Sequence, residues 1–365
     1  MPATLFTPIT LGGVTLSNRI VVSPMCQYSA DDGSMNDWHF VHLGHLAYSG
    51  AGLVMVEATH VTREGRITHG CTGLYSDHNE ASMARVLAHC RTVSKSPIGI
   101  QIGHAGRKAS TQVPWEGREA LGPHESPWPT VAPSPLPFSE TWHTPKEMSK
   151  EEILQTVDAF VASAGRAKRA GFNVLELHSA HGYLLHQFLS PLSNRRSDEY
   201  GRDRMTFPLQ VARAVRESWP KDRGLGARIS ANDWADGGLG PDDAVAYARE
   251  LERVGFDYVC VSSGGLVSHA KLNVGPGYQL PFAQKVKQNS KLRVRAVGMI
   301  ADPEQAEAAI AEGKTDMVAM ARAFLDNPRW VWHAAERFGV KLDYPPQYAR
   351  ARYDAWPGSK LVRRS

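Results

Sequence analysis

The chain is 365 residues long and poor in cysteine. Its four, Cys26, Cys71, Cys90 and Cys260, stand far apart with no C-x-x-C pair. That spacing argues against a zinc knuckle, an iron–sulfur cluster or a disulfide framework. No apolar run approaches the roughly 18 residues of a membrane span. No block of Lys and Arg stands out, and the net charge of +4 is mild for this length. Neither a membrane nor a nucleic acid is therefore an expected partner. The opening MPATLFTPITLGG lacks a basic segment followed by an apolar one, so no secretory signal is read from it and the cytoplasm is the expected compartment. Also missing are a G-x-G-x-x-G nucleotide fingerprint and any domain linker, so residues 1–365 read as one domain. Gly313-Lys314-Thr315 imitates the end of a P-loop, but Ala308 stands where its first glycine belongs. It reads instead as a helix cap followed by a strand.

Hydrophobic residues make up 42% of the chain, enough for a large core. Short β-branched runs recur: Ile20–Ser23, Leu53–Glu57, Ile98–Ile102, Val174–His178, Leu225–Ser230, Tyr258–Ser262, Val294–Val297 and Met317–Ala321. Helix-like segments lie between them. Ser149–Gly171 opens with a capping box in form and ends on glycine. Pro241–Gly255 and Asp302–Gly313 carry proline in the first turn and glycine at the end. Strands alternating with helices argue for a parallel sheet, and eight repeats for a closed (β/α)8 TIM barrel, with an open doubly wound sheet as the alternative. Leu5–Leu16, with Gly12-Gly13 at its centre, reads as an N-terminal hairpin closing the barrel floor. A long loop follows the third strand, from Gly103 to Thr144, with eight prolines between Pro114 and Pro145 and with Trp115, Trp128 and Trp142 among them. It is expected over the C-terminal face of the barrel, the alternative being a passive insertion.

Barrel chemistry is built at the C-terminal strand ends. The fourth strand ends in His178-Ser179-Ala180-His181-Gly182-Tyr183, two imidazoles and a phenol in one turn. The histidines could ligate a metal, exchange protons, or donate two hydrogen bonds to one oxygen. A metal-dependent hydrolase with His178 and His181 as ligands, completed by His104 or Glu57, is thus one reading. The first strand places Cys26 and Tyr28 at the mouth, the thiol as nucleophile or as apolar filler. Gln101 lies on the third strand. Arg228, in an apolar run of the fifth, must find an anion or acceptor. Gly298, after the seventh strand, and Arg322, after the eighth, stand where barrels cradle phosphate.

Taken in order, these motifs resemble the Old Yellow Enzyme family, in its bacterial YqjM-like and xenobiotic reductase branch. The matching stretches are Asn18-Arg19-Ile20, Ser23-Pro24-Met25-Cys26-Gln27-Tyr28, Val56–Thr59, Glu64–Arg66 and Gln101–Lys108. They continue through Glu176–Tyr183, Gln187–Pro191, Arg228–Ser230 and Ala321-Arg322. The resemblance implies an FMN-dependent barrel that takes hydride from NADPH or NADH and reduces activated C=C bonds of enones, nitro compounds or quinones in a ping-pong cycle. It implies that Ser23, Pro24, Met25 and Cys26 line the flavin, with Cys26 tuning its potential. Ala58 and Gln101 would touch the flavin's edge, and Arg228 would stabilise its reduced form. Gly298, Ala321 and Arg322 would hold the phosphate. His178 and His181 would grip the substrate oxygen, Tyr28 would contact substrate and Tyr183 would donate the proton. No resident metal is implied. One departure is the stretch Gly201–Phe207, about three residues shorter than the family pattern, with Asp203 in an Asn position and Thr206 in place of an Arg. The tail from about Tyr344, with Arg350 and Trp356, resembles a segment that reaches a neighbour's substrate pocket. It implies a homodimer or dimer-based tetramer, and its aromatic and Arg content suits an interface.

Overall fold

The structure, a computed structural model, describes residues 3–362. After a 3-10 turn at Thr4–Phe6, strands β1 (Ile9–Leu11) and β2 (Val14–Leu16) form an antiparallel hairpin. The hairpin expected over Leu5–Leu16 is thus shorter, because Leu5 belongs to the turn before it. β3 (Ile20–Val22), β4 (Leu53–His60) and β5 (Ile98–Gly103) follow, then a small parallel pair, β6 (Val131–Ala132) and β7 (Lys146–Glu147). Next come β8 (Val174–Ser179), β9 (Gly224–Ser230), β10 (Tyr258–Ser262), β11 (Arg293–Ala296) and β12 (Met317–Met320). The order around the sheet is β3-β4-β5-β8-β9-β10-β11-β12, and β12 pairs back to β3. All these neighbours are parallel, so the described residues form a closed eight-stranded barrel. Each β-branched run became a barrel strand. The largest difference is β4, three residues longer than expected, with an irregularity between Val56 and Ala58 that re-aims its upper end.

Local chemistry explains the helices that surround the barrel. In the helix Lys150–Ala170, the Ser149 hydroxyl accepts from the Glu152 N–H at 3.2 Å and the Glu152 carboxylate accepts from the Ser149 N–H at 2.8 Å. Gly171 ends the helix at φ +95°, a left-handed cap that disfavours any side chain. Pro241–Val254 ends on Gly255 in the same way. The helix expected to run to Gly313 stops at Ala311, with Glu312 as its cap. Thr315 then donates to Val294 O and Met317 O, leading the chain into β12 rather than around a phosphate.

The hairpin plugs the floor of the barrel. Ile9, Leu11 and Leu16 pack with Val21, Leu53, Met55, Val174 and Met317 from inside it. At the other end the long loop crosses the mouth. Trp128 donates its indole N–H to Glu64 O at 2.8 Å, and the Trp115 ring meets Tyr28 edge-on at 6.0 Å. The shortened stretch leaves the one-turn helix Glu199–Arg202 at its C-cap, Asp203, whose carboxylate accepts from the Met205 N–H at 3.0 Å. A cavity of about 460 Å³ lies beside it, lined by Arg202, Arg204, Ser179 and Tyr247 among others. No helix among the described residues is long and apolar enough to cross a membrane.

Candidate active site

β8 ends on His178-Ser179, and the turn that follows carries His181 and Tyr183. His181 sits at φ +57° and Gly182 at +74°, a left-handed pair that reverses the chain sharply. The turn is tightened because a Cβ on Gly182 would lie 2.2 Å from Gly265 O in the loop after β10. His181 is over-determined: its N–H donates to Ser230 Oγ at 3.0 Å, and its Nε2 meets Ser262 Oγ at 2.8 Å. That support is what strained backbone at a site requires. Behind the turn, His186 accepts from the Gly182 N–H at 2.9 Å and pairs with buried Asp233 at 2.9 Å. The result brings the His178 ring 5.1 Å from the His181 ring and 4.8 Å from the Tyr183 ring.

Protonation follows from these partners. His178 Nδ1 accepts from the Ala180 N–H at 3.3 Å, so its proton is on Nε2, which faces His181 Nδ1 at 3.3 Å. Burial first, then the Arg228 cation, holds both imidazoles well below the ordinary histidine range. Both are neutral at physiological pH and can act as hydrogen-bond donors. Burial raises Tyr183 far above the usual phenol, helped by nearby Cys26 and Tyr28. It therefore keeps its proton until a strong base is generated beside it.

The first strand contributes the opposite wall. Ser23 is buried just past β3, and Met25, Cys26 and Tyr28 are half-buried beyond it, Tyr28 at φ +52°. Glu57 on β4 anchors this stretch by accepting from the Gln27 N–H at 2.9 Å, and stands 3.4 Å from His39. Cys26 and Tyr183 pack in one small cluster with Cys71, Ala105 and Trp128. Burial, with Cys71 and Glu57, pushes the Cys26 thiol well up, which argues for the filler reading over the nucleophile. Gln101 is fixed from below, donating to Glu176 at 2.8 Å, and Glu176 is held by Tyr258 at 2.9 Å and by Arg295.

The remaining candidates gather around β9, β11 and β12. Arg228 donates weakly to Ser23 Oγ at 3.4 Å, and its buried Nε–H has no hydrogen-bond partner. Arg228 and Arg322 both bear on Tyr278. Arg228, with a buried donor left unpartnered at the end of β9, and the exposed Arg322 just past β12 place two cations where an anionic cofactor could be held. Ala321 caps the short helix that begins at Arg322. Gly298, at φ +110°, is approached by the Tyr278 ring and the Gln279 amide: a Cβ there would lie 2.6 Å from Gln279 Nε2. Ala58 is buried at the upper end of β4.

The hydrolase reading loses its third ligand. Glu57 is turned to Gln27 and His39, and His104 accepts from the Gly106 N–H at 3.0 Å. No three potential ligands converge among the described residues. Arg350 is exposed on the 3-10 helix Pro346–Ala351, and the structure does not bring it to the histidines of its own chain.

Residues 4–339 match the model of the NADH:flavin oxidoreductase / NADH oxidase family. The chain belongs to this family, the Old Yellow Enzyme family. It is 44% identical over 355 residues to an NADPH dehydrogenase of Geobacillus thermodenitrificans, covering 96% of this chain and 99% of that one. Identity to an NADPH dehydrogenase of Bacillus subtilis is 41% over the same span and shares. Morphinone reductase in complex with tetrahydroNAD superposes with a TM-score of 0.74 at 27% identity, covering 94% of this chain and 93% of that one. As an Old Yellow Enzyme family member the chain is a flavin-dependent oxidoreductase, with FMN as cofactor and a reduced nicotinamide nucleotide as reductant. Arg228 and Arg322 fit such a phosphate-bearing, electron-accepting group.

Ser262 and His186 belong to no local motif, and Ser230 and Lys108 stand only within the stretches Arg228–Ser230 and Gln101–Lys108, because their partners lie elsewhere in the chain.

Proposed function

We propose that this enzyme reduces the C=C bond of small compounds conjugated to a carbonyl or nitro group, with NADPH or NADH and substrate visiting one site in turn. The reading rests on one observation: two neutral imidazoles and a protonated phenol converge at the barrel mouth beside Cys26 and near Arg228. When bound, FMN would supply the hydride-transfer chemistry between the nucleotide and the substrate's β-carbon. Ser23, Pro24, Met25, Cys26, Ala58 and Gln101 would line its ring, Arg228 would balance charge on it, and Gly298, Ala321 and Arg322 would hold its phosphate.

The histidines hold the substrate oxygen where negative charge develops. His178 offers Nε2–H. His181 now turns Nδ1 toward His178 as an acceptor, so it must carry its proton on Nδ1 to offer a second donor. Ser262 permits that change, because a hydroxyl 2.8 Å from Nε2 can accept or donate. Tyr28 contacts the substrate's body. As the β-carbon receives hydride, electron density reaches the α-carbon, and the Tyr183 O–H proton moves there to form the second C–H bond. The phenolate regains a proton from solvent.

The test is stopped-flow spectroscopy of Tyr183→Phe. Reduction by NADPH is expected to stay within about twofold of the parent, while oxidation by 2-cyclohexenone slows on the order of 10²-fold. An unchanged oxidation rate would remove Tyr183 from the role. We further propose that the chain works in the cytoplasm as one FMN-binding barrel in a homodimer or dimer-based tetramer, with Arg350 contributed to the partner's substrate pocket.

A further inference from the structure

Lys108 ends the 3-10 turn Gly106–Lys108 beyond β5. The residue is half-buried, and its ammonium end is the desolvated part. It donates to His181 O at 2.9 Å and to Gly265 O at 2.8 Å, tying the loop after β8 to the loop after β10. The same nitrogen lies 4.5 Å from the centre of the Phe138 ring and 5.3 Å from that of Tyr183. Two carbonyls and two aromatic rings thus hold one ammonium group in place.

Its electrostatic surroundings are one-sided. Arg107 stands beside it on its own turn, and Arg118, exposed on the long loop, acts through its charge on both Lys108 and Tyr183. From β8 and the loop after it, it faces His178, His181 and Tyr183, all neutral. Gly264 and Gly265 of the β10 loop carry no charge. No carboxylate contributes to its environment among the described residues. Burial and the two guanidinium groups push its pKa down to about 7. An enclosed cation without a counter-ion is costly, and sites that retain one generally use it.

The missing anion is one that turnover creates. We propose that Lys108 is the counter-ion of the phenolate left on Tyr183 after proton transfer, and so a positioning residue for substrate reduction; this rests on Tyr183 as the proton donor. The Tyr183 O–H bond breaks as its proton forms the α-carbon C–H bond with the substrate's electron pair. The charge then sits on a ring already facing the ammonium. A cation attracts the face of a neutral phenol modestly and a full negative charge at that distance much more strongly. The two carbonyls keep the ammonium in place, so little reorganisation is needed when the charge appears.

The test uses the full-length, FMN-loaded enzyme and single-turnover oxidation by 2-cyclohexenone. Lys108→Met should slow that step about tenfold near pH 6.5, the scale of one screened charge. Reduction by NADPH should change less than about twofold. The parent's oxidation rate should fall as pH rises through about 7, where the amine loses its charge, while Lys108→Met is flat there. In a Tyr183→Phe background, adding Lys108→Met should change the rate by less than about twofold. Equal slowing in both backgrounds would overturn the proposal, assigning Lys108 to loop structure alone. A normal rate for Lys108→Met beside a slow Tyr183→Phe would also overturn it, leaving the proton-donor reading intact. A normal Tyr183→Phe would instead defeat that reading first. Should Lys108→Met not retain FMN, the pH profiles of parent and Tyr183→Phe decide. The transition near pH 7 should vanish with the phenol, and its survival would overturn the proposal.

Discussion

The role proposed for His178 and His181, neutral donors to the substrate oxygen, places their effect where charge develops. His178→Ala and His181→Ala should each slow enone reduction by about 2–4 kcal/mol of transition-state stabilisation, with a smaller effect on flavin reduction. Stopped-flow traces unchanged in both half-reactions would make the pair structural. Cys26 has the opposite profile. Its thiol is held protonated by burial, Cys71 and Glu57, so Cys26→Ser should retain FMN and alter both half-reactions moderately while shifting the flavin's midpoint potential. Loss of all turnover with flavin intact would point to a nucleophile instead. At this scale the sequence exposed what is contiguous. His178, His181 and Tyr183 fall within six residues, so a single strand end delivers them. Ser262, Ser230 and Lys108 stayed hidden because each acts across strands far apart in the chain, and Glu57 was legible only as a carboxylate that could have faced a metal.

Whole elements were easier to read than their junctions. Barrel strands buried on both faces must be continuous β-branched runs, and each such run here became a strand. The capping box at Ser149 and the glycine at 171 set their helix within a residue because both signals are local. The meeting of the loops after β8 and β10 was not legible, since it depends on Gly182 lying against Gly265 O. A side chain there meets both a left-handed backbone and a carbonyl at 2.2 Å. Gly182→Ala should therefore displace the histidine turn and depress enone reduction far more than FMN content. Steady-state kinetics beside flavin quantitation checks this, and a fully active variant would mean that the two loops move apart freely.

For the whole molecule, the question is what the tail does. Its first part folds back on its own barrel. Tyr348 stacks on Tyr48 at 5.5 Å beneath Arg329, and Tyr344 meets Trp332 at 4.4 Å. Arg350 and Trp356 face outward, Trp356 with 39% of its surface exposed, while Arg363 and Arg364 lie outside the described residues. An anchored tail with an exposed arginine and tryptophan suits a contact to a second copy. Light scattering at micromolar concentration should give at least two chains, and Arg350→Ala should raise substrate KM with FMN still bound. A monomer with normal Arg350→Ala kinetics would end the assembly proposal and leave the barrel site untouched. The most direct test of the account is an absorbance scan of the purified protein, followed by boiling and chromatography of what is released. Flavin bands and stoichiometric FMN are expected; a colourless protein holding one equivalent of metal and no flavin would refute the flavoenzyme reading.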